Sequence, residues 1–435
     1  MTDRERPAPE RRLIPTVVSF GALLLLTFGV YGRILEMPFT ADNVRMLSWA
    51  DRTPASGLLR ADPYSYPEWR PLSYVTVWLQ YRWSQLDNLH LYYVVNLLLW
   101  AGCAWLVYEI VTRLTRSFVP ALLAAAVVLT DPRAVEPMIS FPQTTFMACL
   151  FGLAGFLVIV GARSTRLTRP GWIGLSLLLL AAGLCKEYGL AFMGAAAVYS
   201  VFERRRDIAS AAVAAGLMYA LLRLGFAGGA TAEYCEDTGY FFTVRHECFD
   251  GVHSLLLPQA VYNVAATAIG SLLPGLFNLW GQIIIEPRMV ATSLVWLAAA
   301  ALGWWKGPTP TRMTVLIVAF NAALSFMLYR ERDHPVALCA LGIAVGVGLA
   351  VASAAAQTSA RPPVIRGTVA AVLFVLLANH AIGTRADVVD EVADSYQQGQ
   401  DPCEALAGGR PLDPAFVKRV KVAHGMSNPD CVPTH

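Results

Sequence analysis

Long apolar runs separated by basic clusters are the feature that most constrains the fold of this 435-residue chain. Runs of this length are typical of helices that cross a membrane. Hydrophobic residues make up 56% of the sequence and charged residues only 15%, a balance that suits a chain held mainly in lipid. The sequence therefore predicts an all-α polytopic membrane protein. Its net charge of +3 is no general basic excess, which argues against a nucleic-acid partner.

About eleven segments have the character of transmembrane helices, although several are shorter than the roughly 20 residues that a hydrocarbon core needs. They cover residues 13–35, 90–112, 117–130, 143–162, 171–185, 188–202, 208–226, 289–305, 313–329, 335–354 and 367–383. The first segment follows a group of arginines, as a signal peptide also would. Because no small-residue cleavage site comes after it, we interpret it as a membrane helix.

The basic clusters predict the orientation of these segments. With the N-terminus in the cytoplasm, the clusters after the second, fourth, sixth, eighth and tenth segments all fall in the cytoplasm, as the lysine and arginine bias requires. We predict one transmembrane domain at 1–384, with extracytoplasmic loops at 37–89 and 227–286 and a short extracytoplasmic tail at 385–435. A further crossing hidden within 255–285 would reverse the orientation downstream.

Cysteine usage gives an independent indication of the same orientation. Of the eight cysteines, four lie in or beside apolar segments. The other four lie in polar segments that are external under this orientation: Cys235, Cys248, Cys403 and Cys431. Pairs that close a loop are typical of an oxidising compartment, so we predict disulfides there. Their connectivity stays open, and so does the alternative of four unpaired thiols.

The first external loop contains aromatic residues at helical spacing, namely Tyr74, Trp78, Tyr81 and Trp83. Tryptophan and tyrosine favour the headgroup level of a membrane. We therefore predict an interfacial helix in this loop. It either anchors the chain at the interface, or covers a lipid-borne ligand, or does both.

Charged residues gather at the external ends of the apolar segments. Asp42 follows the first segment, and Lys186 and Glu187 form the turn between two short ones. A charge at the end of two apolar helices is costly, so Lys186 invites a functional explanation, with pairing to Glu187 or Glu136 as the alternative. The other charged residues at these ends are Asp131, Glu136, Arg330, Arg332 and His334, and Arg70 lies within the first external loop.

Four stretches, in their order and spacing, resemble the GT-C superfamily of membrane glycosyltransferases, in the branch of protein O-mannosyltransferases and aminoarabinose transferases. They are Phe-Thr-Ala-Asp-Asn at 39–43, Trp-Arg-Pro-Leu at 69–72 followed by Tyr-Tyr-Val-Val-Asn-Leu-Leu-Leu at 92–99, Leu-Thr-Asp-Pro-Arg-Ala-Val-Glu at 129–136, and Cys-Lys-Glu at 185–187. The chain departs from the family pattern at Asn43, where relatives can have a second acid. It departs again at Asp131, where relatives often have histidine.

The resemblance implies a GT-C fold that transfers a sugar from a polyprenyl-phosphate carrier to an extracytoplasmic acceptor. Asp42 is then the expected general base for the acceptor hydroxyl, the alternative being an acid that only caps or solvates a helix end. Cations would stabilise the departing lipid phosphate. The candidates for that role are Arg70, Lys186, Arg330, Arg332 and His334. Arg330 and Arg332 are two residues apart and would point in different directions on a helix. His334 also fits the start of a helix.

Asp131, Glu136 and Glu187 are the expected supporting acids. A divalent cation held by Asp42, Asp131 and Glu136 is an open alternative, although no clustered metal-ligand pattern requires it. The expected location is a bacterial inner membrane, with a cytoplasmic N-terminus and a periplasmic active site. The expected partners are the lipid-linked donor, the acceptor, which could be a protein, a glycolipid or a polysaccharide, and membrane lipids.

Three other functions stay open. A polymerase or ligase of lipid-linked glycans would use the same fold. A transporter or lipid flippase would concentrate polar groups near the bilayer midplane between broken helices. If the chain is a noncatalytic membrane interaction protein, replacing Asp42 with asparagine would leave every phenotype unchanged.

Overall fold

A computed structural model of the protein describes residues 10–37, 39, 41–59, 69–88, 90–139, 144–226, 287–307, 313–317, 319, 336–358, 363–397 and 414–423. About 90% of these residues are helical and none of them forms a strand. The prediction of an all-α polytopic membrane protein is confirmed.

Fourteen α-helices have defined bounds in these ranges. The first seven are α1 (Glu10–Tyr31), α2 (Ala41–Arg52), α3 (Pro71–Ser84), α4 (His90–Thr115), α5 (Phe118–Leu129), α6 (Val135–Ile139) and α7 (Thr144–Gly161). The others are α8 (Arg169–Cys185), α9 (Leu190–Phe202), α10 (Arg206–Phe226), α11 (Pro287–Lys306), α12 (Val336–Thr358), α13 (Pro363–Gln397) and α14 (Pro414–Ala423). Short 3₁₀ turns lie at Gly32–Glu36, Ala55–Gly57, Pro132–Ala134 and Glu187–Gly189.

Among the described residues, seven helical segments are long and apolar enough to cross a membrane. They are Val18–Glu36, His90–Thr115, Thr144–Gly161, Arg206–Phe226, Pro287–Lys306, Ala340–Gln357 and Gly367–Asp390. The pair Phe118–Leu129 and Pro132–Ile139, bent by 52°, would make an eighth span, whereas α8 and α9 are apolar but shorter. Most of the segment predicted at 313–329 lies outside the described residues.

Helix α4 lies at the centre of the bundle and packs against α1, α5, α7 and α12. Its Trp100 is fully buried and packs against Phe146 of α7, with ring centroids 5.0 Å apart. Helices α11 and α12 cross at Gly303 and Gly346, where a Cβ on Gly303 would collide with the carbonyl oxygen of Gly346. Glycine is therefore required for this close approach.

Polar contacts define two ends of the bundle. At one end, which we call the Lys186 end, Arg70 before α3 meets Glu187 after α8 at 3.1 Å. At the opposite end, the Arg205 end, the guanidinium of Arg205 donates to the carbonyl of Ala162 at 2.9 Å. That contact joins the start of α10 to the end of α7.

The first loop folds across the Lys186 end. The Ser73 hydroxyl, in the first turn of α3, donates to the carbonyl of Cys185 at 3.0 Å. Past the other end of α3, Gln85 accepts a hydrogen bond from the Tyr92 hydroxyl at 2.7 Å. Helix α3 therefore runs from the end of α8 to the start of α4. The helix predicted in this loop is present, and Trp83 on it is 88% exposed; its place at a membrane interface stays a prediction.

Candidate functional site

Lys186 is buried in a tight turn at the Lys186 end. Helix α8 ends at Cys185 and α9 begins at Leu190, and a Cβ on Gly189 would collide with the backbone of α8. The Lys186 side chain is held between α7 and its own turn, because its Nζ donates to the Thr145 hydroxyl at 3.0 Å and lies 5.0 Å from the ring centroid of Tyr188. The residue is only 2% exposed. An ammonium group so far removed from water needs such partners to stay charged.

Glu187 joins two arginines from distant parts of the chain. Arg70 donates from Nε and Nη2 to Oε2 of Glu187, at 3.2 and 3.1 Å. Arg223, in the last turn of α10, lies 3.9 Å from Oε1 of the same carboxylate and donates to the Tyr219 hydroxyl at 3.0 Å. Two guanidinium groups, one ammonium group and one carboxylate therefore lie together. We name Arg70, Lys186, Glu187 and Arg223 the basic cluster.

Aromatic side chains position Arg70 in the basic cluster. The indole N–H of the preceding residue, Trp69, donates to the carbonyl of Leu59 at 2.9 Å. Its ring lies 6.0 Å from that of Tyr219, the residue to which Arg223 donates. Both arginines are thus positioned by neighbouring aromatic side chains. Arg70 is only 7% exposed.

Arg223 was not among the residues predicted from the sequence. It lies at the end of the seventh apolar segment, where a lone arginine fits a generic headgroup anchor. Two signals could have identified it. Under the predicted orientation this end is external, where basic residues are less favoured, and Tyr219 lies four residues earlier on the same helix face.

The pKa of the Glu187 carboxyl lies below its ordinary value of 4.5. Burial raises this pKa, but the charge of Arg70, a hydrogen bond from its own backbone, Arg223 and Lys186 together lower it more. Glu187 therefore stays ionised near neutral pH. It holds the basic cluster together as an anion.

Replacing Glu187 with glutamine is expected to destabilise the fold by about 1.5–3 kcal/mol near neutral pH, the range for hydrogen bonds to charged groups. Because the folded-state pKa is the lower one, this stabilisation is complete above the unfolded pKa and is lost as the pH falls through the folded value. The difference in thermal unfolding temperature between wild type and Glu187→Gln should therefore shrink only in acid.

The control for this prediction is Glu36→Gln, which breaks an exposed arginine–glutamate pair. We expect that change to have little effect on the unfolding temperature, because exposed pairs contribute at most about 1 kcal/mol. Equal effects of Glu36→Gln and Glu187→Gln would contradict a special role of the buried carboxylate.

Asp42 is the second residue of α2, which begins at Ala41. The amide of the next residue, Asn43, is buried and donates to the Tyr93 hydroxyl at 3.3 Å and to the carbonyl of Ile139 at 3.4 Å. Ile139 is the last residue of α6, and the next helix, α7, carries the Thr145 that accepts from Lys186. The start of α2 therefore lies at the Lys186 end.

Asp131 is fully buried and contacts Arg133. Its Oδ1 accepts hydrogen bonds from the backbone N–H of Arg133 at 3.0 Å and from Nε at 2.6 Å, and its Oδ2 pairs with Nη2 of the same arginine. The carboxylate thus caps a 3₁₀ turn after α5. The Tyr31 hydroxyl donates to the Asp131 carbonyl at 2.7 Å and thereby ties the end of α1 to this turn.

The other predicted site residues either lie in α6 or fall outside the described ranges. Glu136 is the second residue of α6, whose end contacts Asn43. Within the part of the chain that the structure describes, no three histidine, cysteine or acidic side chains are arranged to hold a metal ion. The remaining predicted residues lie outside the described ranges: Arg330, Arg332, His334, Cys235, Cys248, Cys403 and Cys431.

Comparison with known proteins adds no relative to this description: no family model matches the chain, and no curated protein matches it either.

Proposed function

We propose that this protein is a GT-C glycosyltransferase that moves a sugar from a polyprenyl-monophosphate carrier to an acceptor outside the cytoplasm. The observation that carries the proposal is the convergence of Arg70 and Lys186 at the end of the bundle where α2 begins with Asp42. A cationic site and an acid next to one membrane surface are what this chemistry requires.

The reaction proposed is a single displacement with inversion. The acceptor hydroxyl attacks the anomeric carbon of the sugar and gives its proton to the carboxylate of Asp42. The bond between the anomeric carbon and the phosphate oxygen breaks, and the polyprenyl phosphate leaves with the electron pair. No water or covalent sugar intermediate takes part.

The basic cluster suits the departing phosphate. Arginine offers a planar fork of donors that matches phosphate oxygens, and lysine acts as a compact point charge. Arg70 lies just before α3, Arg223 lies in α10, and Lys186 lies in the turn between α8 and α9, so the donors are fixed before the substrate binds. Donors held ready in this way stabilise developing charge without reorganisation.

The proposed membrane arrangement has eleven spans. The seven long helices, the bent pair, the two shorter helices α8 and α9, and the segment predicted at 313–329 make up this number. We propose that the Lys186 end faces the periplasm of a bacterium and the Arg205 end faces the cytoplasm, because arginines favour the cytoplasmic side. Arg163, Arg166 and Arg204 all lie near the Arg205 end.

The alternatives make different demands on the site. A transporter would place its binding groups between broken helices near the midplane, whereas the basic cluster lies at the ends of α8 and α10. A lipid-linked glycan polymerase or ligase would use a similar site, so only an assay of the donor can distinguish that function from the proposed one.

The test is an assay of the purified full chain in lipid nanodiscs. Radiolabelled sugars are supplied on a polyprenyl monophosphate, a polyprenyl diphosphate or a nucleotide, together with serine-rich and threonine-rich peptides and a bacterial glycolipid extract as acceptors. We expect transfer from the monophosphate alone, with release of polyprenyl phosphate. Transfer from the diphosphate alone would favour the polymerase or ligase, and no transfer from any donor would contradict the proposal.

A further inference from the structure

The C-terminal helix α14 packs on the two helices of the first loop, at the Lys186 end. Phe416, Val417 and Val420 are buried on one side of it, whereas Lys418 and Val422 are exposed. The Phe416 ring lies 6.3 Å from the Tyr81 ring of α3, in a tilted arrangement. This helix is therefore seated on the body of the protein by an apolar face, although it is more than 300 residues from the loop in sequence.

A single carboxylate ties three helices together at this contact. Asp51 of α2 accepts a hydrogen bond from the Tyr81 hydroxyl of α3 at 2.7 Å and pairs with Arg419 of α14 at 3.0 Å. The Arg419 guanidinium also lies 5.1 Å from the centroid of the Phe416 ring. Burial and the hydrogen bond to Asp51 raise the pKa of Tyr81, so its hydroxyl remains a donor.

Helices α2 and α3 also contact each other directly. The Trp78 indole donates to the carbonyl of Thr53 at 2.9 Å, and the rings of Trp49 and Tyr74 lie 5.1 Å apart. The two helices thus form a pair, and α14 packs on it at Asp51 of α2 and Tyr81 of α3.

The contact with α14 and the candidate base lie on the same helix, α2. Asp42 and Asp51 lie in the same helix, about 14 Å apart along its axis at 1.5 Å per residue. A helix of 12 residues is marginal by itself in water, so its direction is set by what packs on it. A tilt at Asp51 therefore moves Asp42 as well.

We propose that α14 is a positioning element, and that Phe416 and Arg419 clamp the Asp51 end of α2 so that Asp42 is held at the donor site. The inference rests on the proposed function for the role of Asp42, but not for the clamp itself. By contrast, the direct contacts within the basic cluster, from Arg70 and Arg223 to Glu187 and from Lys186 to Thr145, involve no residue of α14, so we expect donor binding to depend less on α14.

The experiment uses the full chain in nanodiscs and two variants, Phe416→Ala and Arg419→Gln. The first measurement is amide hydrogen exchange, which does not depend on sugar transfer. We expect exchange across residues 46–52 of α2 to become roughly tenfold faster in Phe416→Ala, and less so in Arg419→Gln because that pair is partly exposed. Exchange in α8 should not change.

The second measurement is the transfer reaction with the monophosphate donor. A displacement of about 1 Å at a reacting group can cost on the order of 100-fold in rate, so we expect a 10- to 100-fold lower kcat in Phe416→Ala with donor affinity within about twofold of wild type. Arg419→Lys should recover most of the rate lost in Arg419→Gln. The matched control is Val422→Ala, an exposed truncation on the same helix.

Three results would overturn the clamp or its role. Unchanged exchange in α2 for both variants would show that α14 does not hold it. Faster exchange with an unchanged kcat would remove the positioning role, and an equal loss of kcat and donor affinity would indicate general unfolding. A wild-type chain without any transfer would overturn the proposed function, whereas faster exchange in Phe416→Ala would still support the clamp.

Discussion

Replacing Asp42 with asparagine is expected to lower the rate of sugar transfer by about 10²- to 10⁴-fold, the contribution typical of a positioned general base. Asparagine has nearly the same size and shape but cannot take the proton of the acceptor hydroxyl. The basic cluster is untouched by the change, so donor affinity should remain near that of wild type. Single-turnover transfer and equilibrium donor binding, measured on the same preparation, separate the two effects.

The matched control is Asp87→Asn, which removes an exposed carboxylate from the same loop. Its transfer rate should equal that of wild type. If Asp42→Asn retained the wild-type rate, the general base would have to be another group. A rate and a donor affinity that fell together would instead point to a structural role at the start of α2.

Replacing Lys186 with methionine is expected to weaken donor binding by about 10- to 100-fold. A hydrogen bond to a charged group contributes about 1.5–3 kcal/mol, and about 1.4 kcal/mol corresponds to a factor of ten in affinity. Methionine keeps the length of the side chain, so packing against Tyr188 is largely retained while the charge and the hydrogen bond to Thr145 are lost. Titration of a fluorescent polyprenyl phosphate into nanodiscs gives the affinity.

Arg166→Gln is the control for this second prediction, because Arg166 is an exposed cation at the Arg205 end. It should leave the affinity for polyprenyl phosphate unchanged. Equal affinities of wild type and Lys186→Met would remove lysine from the donor site and would assign it to the packing of the turn. An equal loss in Arg166→Gln would indicate a general charge effect on the membrane surface.

The helices of the bundle could be predicted closely from the sequence. The segment predicted at 90–112 is α4, His90–Thr115, and the one at 143–162 is α7, Thr144–Gly161. Apolar length and flanking arginines determine such helices locally, so no knowledge of their neighbours is required. The turn at Lys186 could be predicted for the same reason, because it lies between two apolar segments.

The partners of the charged residues could not be predicted in this way. Sequence spacing gave no sign that Glu187 meets both Arg70 and Arg223, since more than 100 residues separate it from Arg70. Asp131 was expected to support the chemistry, but its carboxylate is engaged by Arg133 two residues later. Which of several nearby cations an acid meets depends on how helices pack, and that is fixed only by the whole fold.

The shortness of the hairpin formed by α8 and α9 has a consequence for the surrounding lipid. Upright in a bilayer, the 13 residues of α9 reach about 20 Å, against a hydrocarbon thickness of about 30 Å. In the proposed arrangement of eleven spans, this hydrophobic mismatch would either thin the leaflet around the hairpin or leave its turn several ångströms below the plane of the neighbouring headgroups. Under the proposed function, the prenyl carrier would then approach Lys186 by sideways movement within the leaflet, with its isoprenoid chain still immersed.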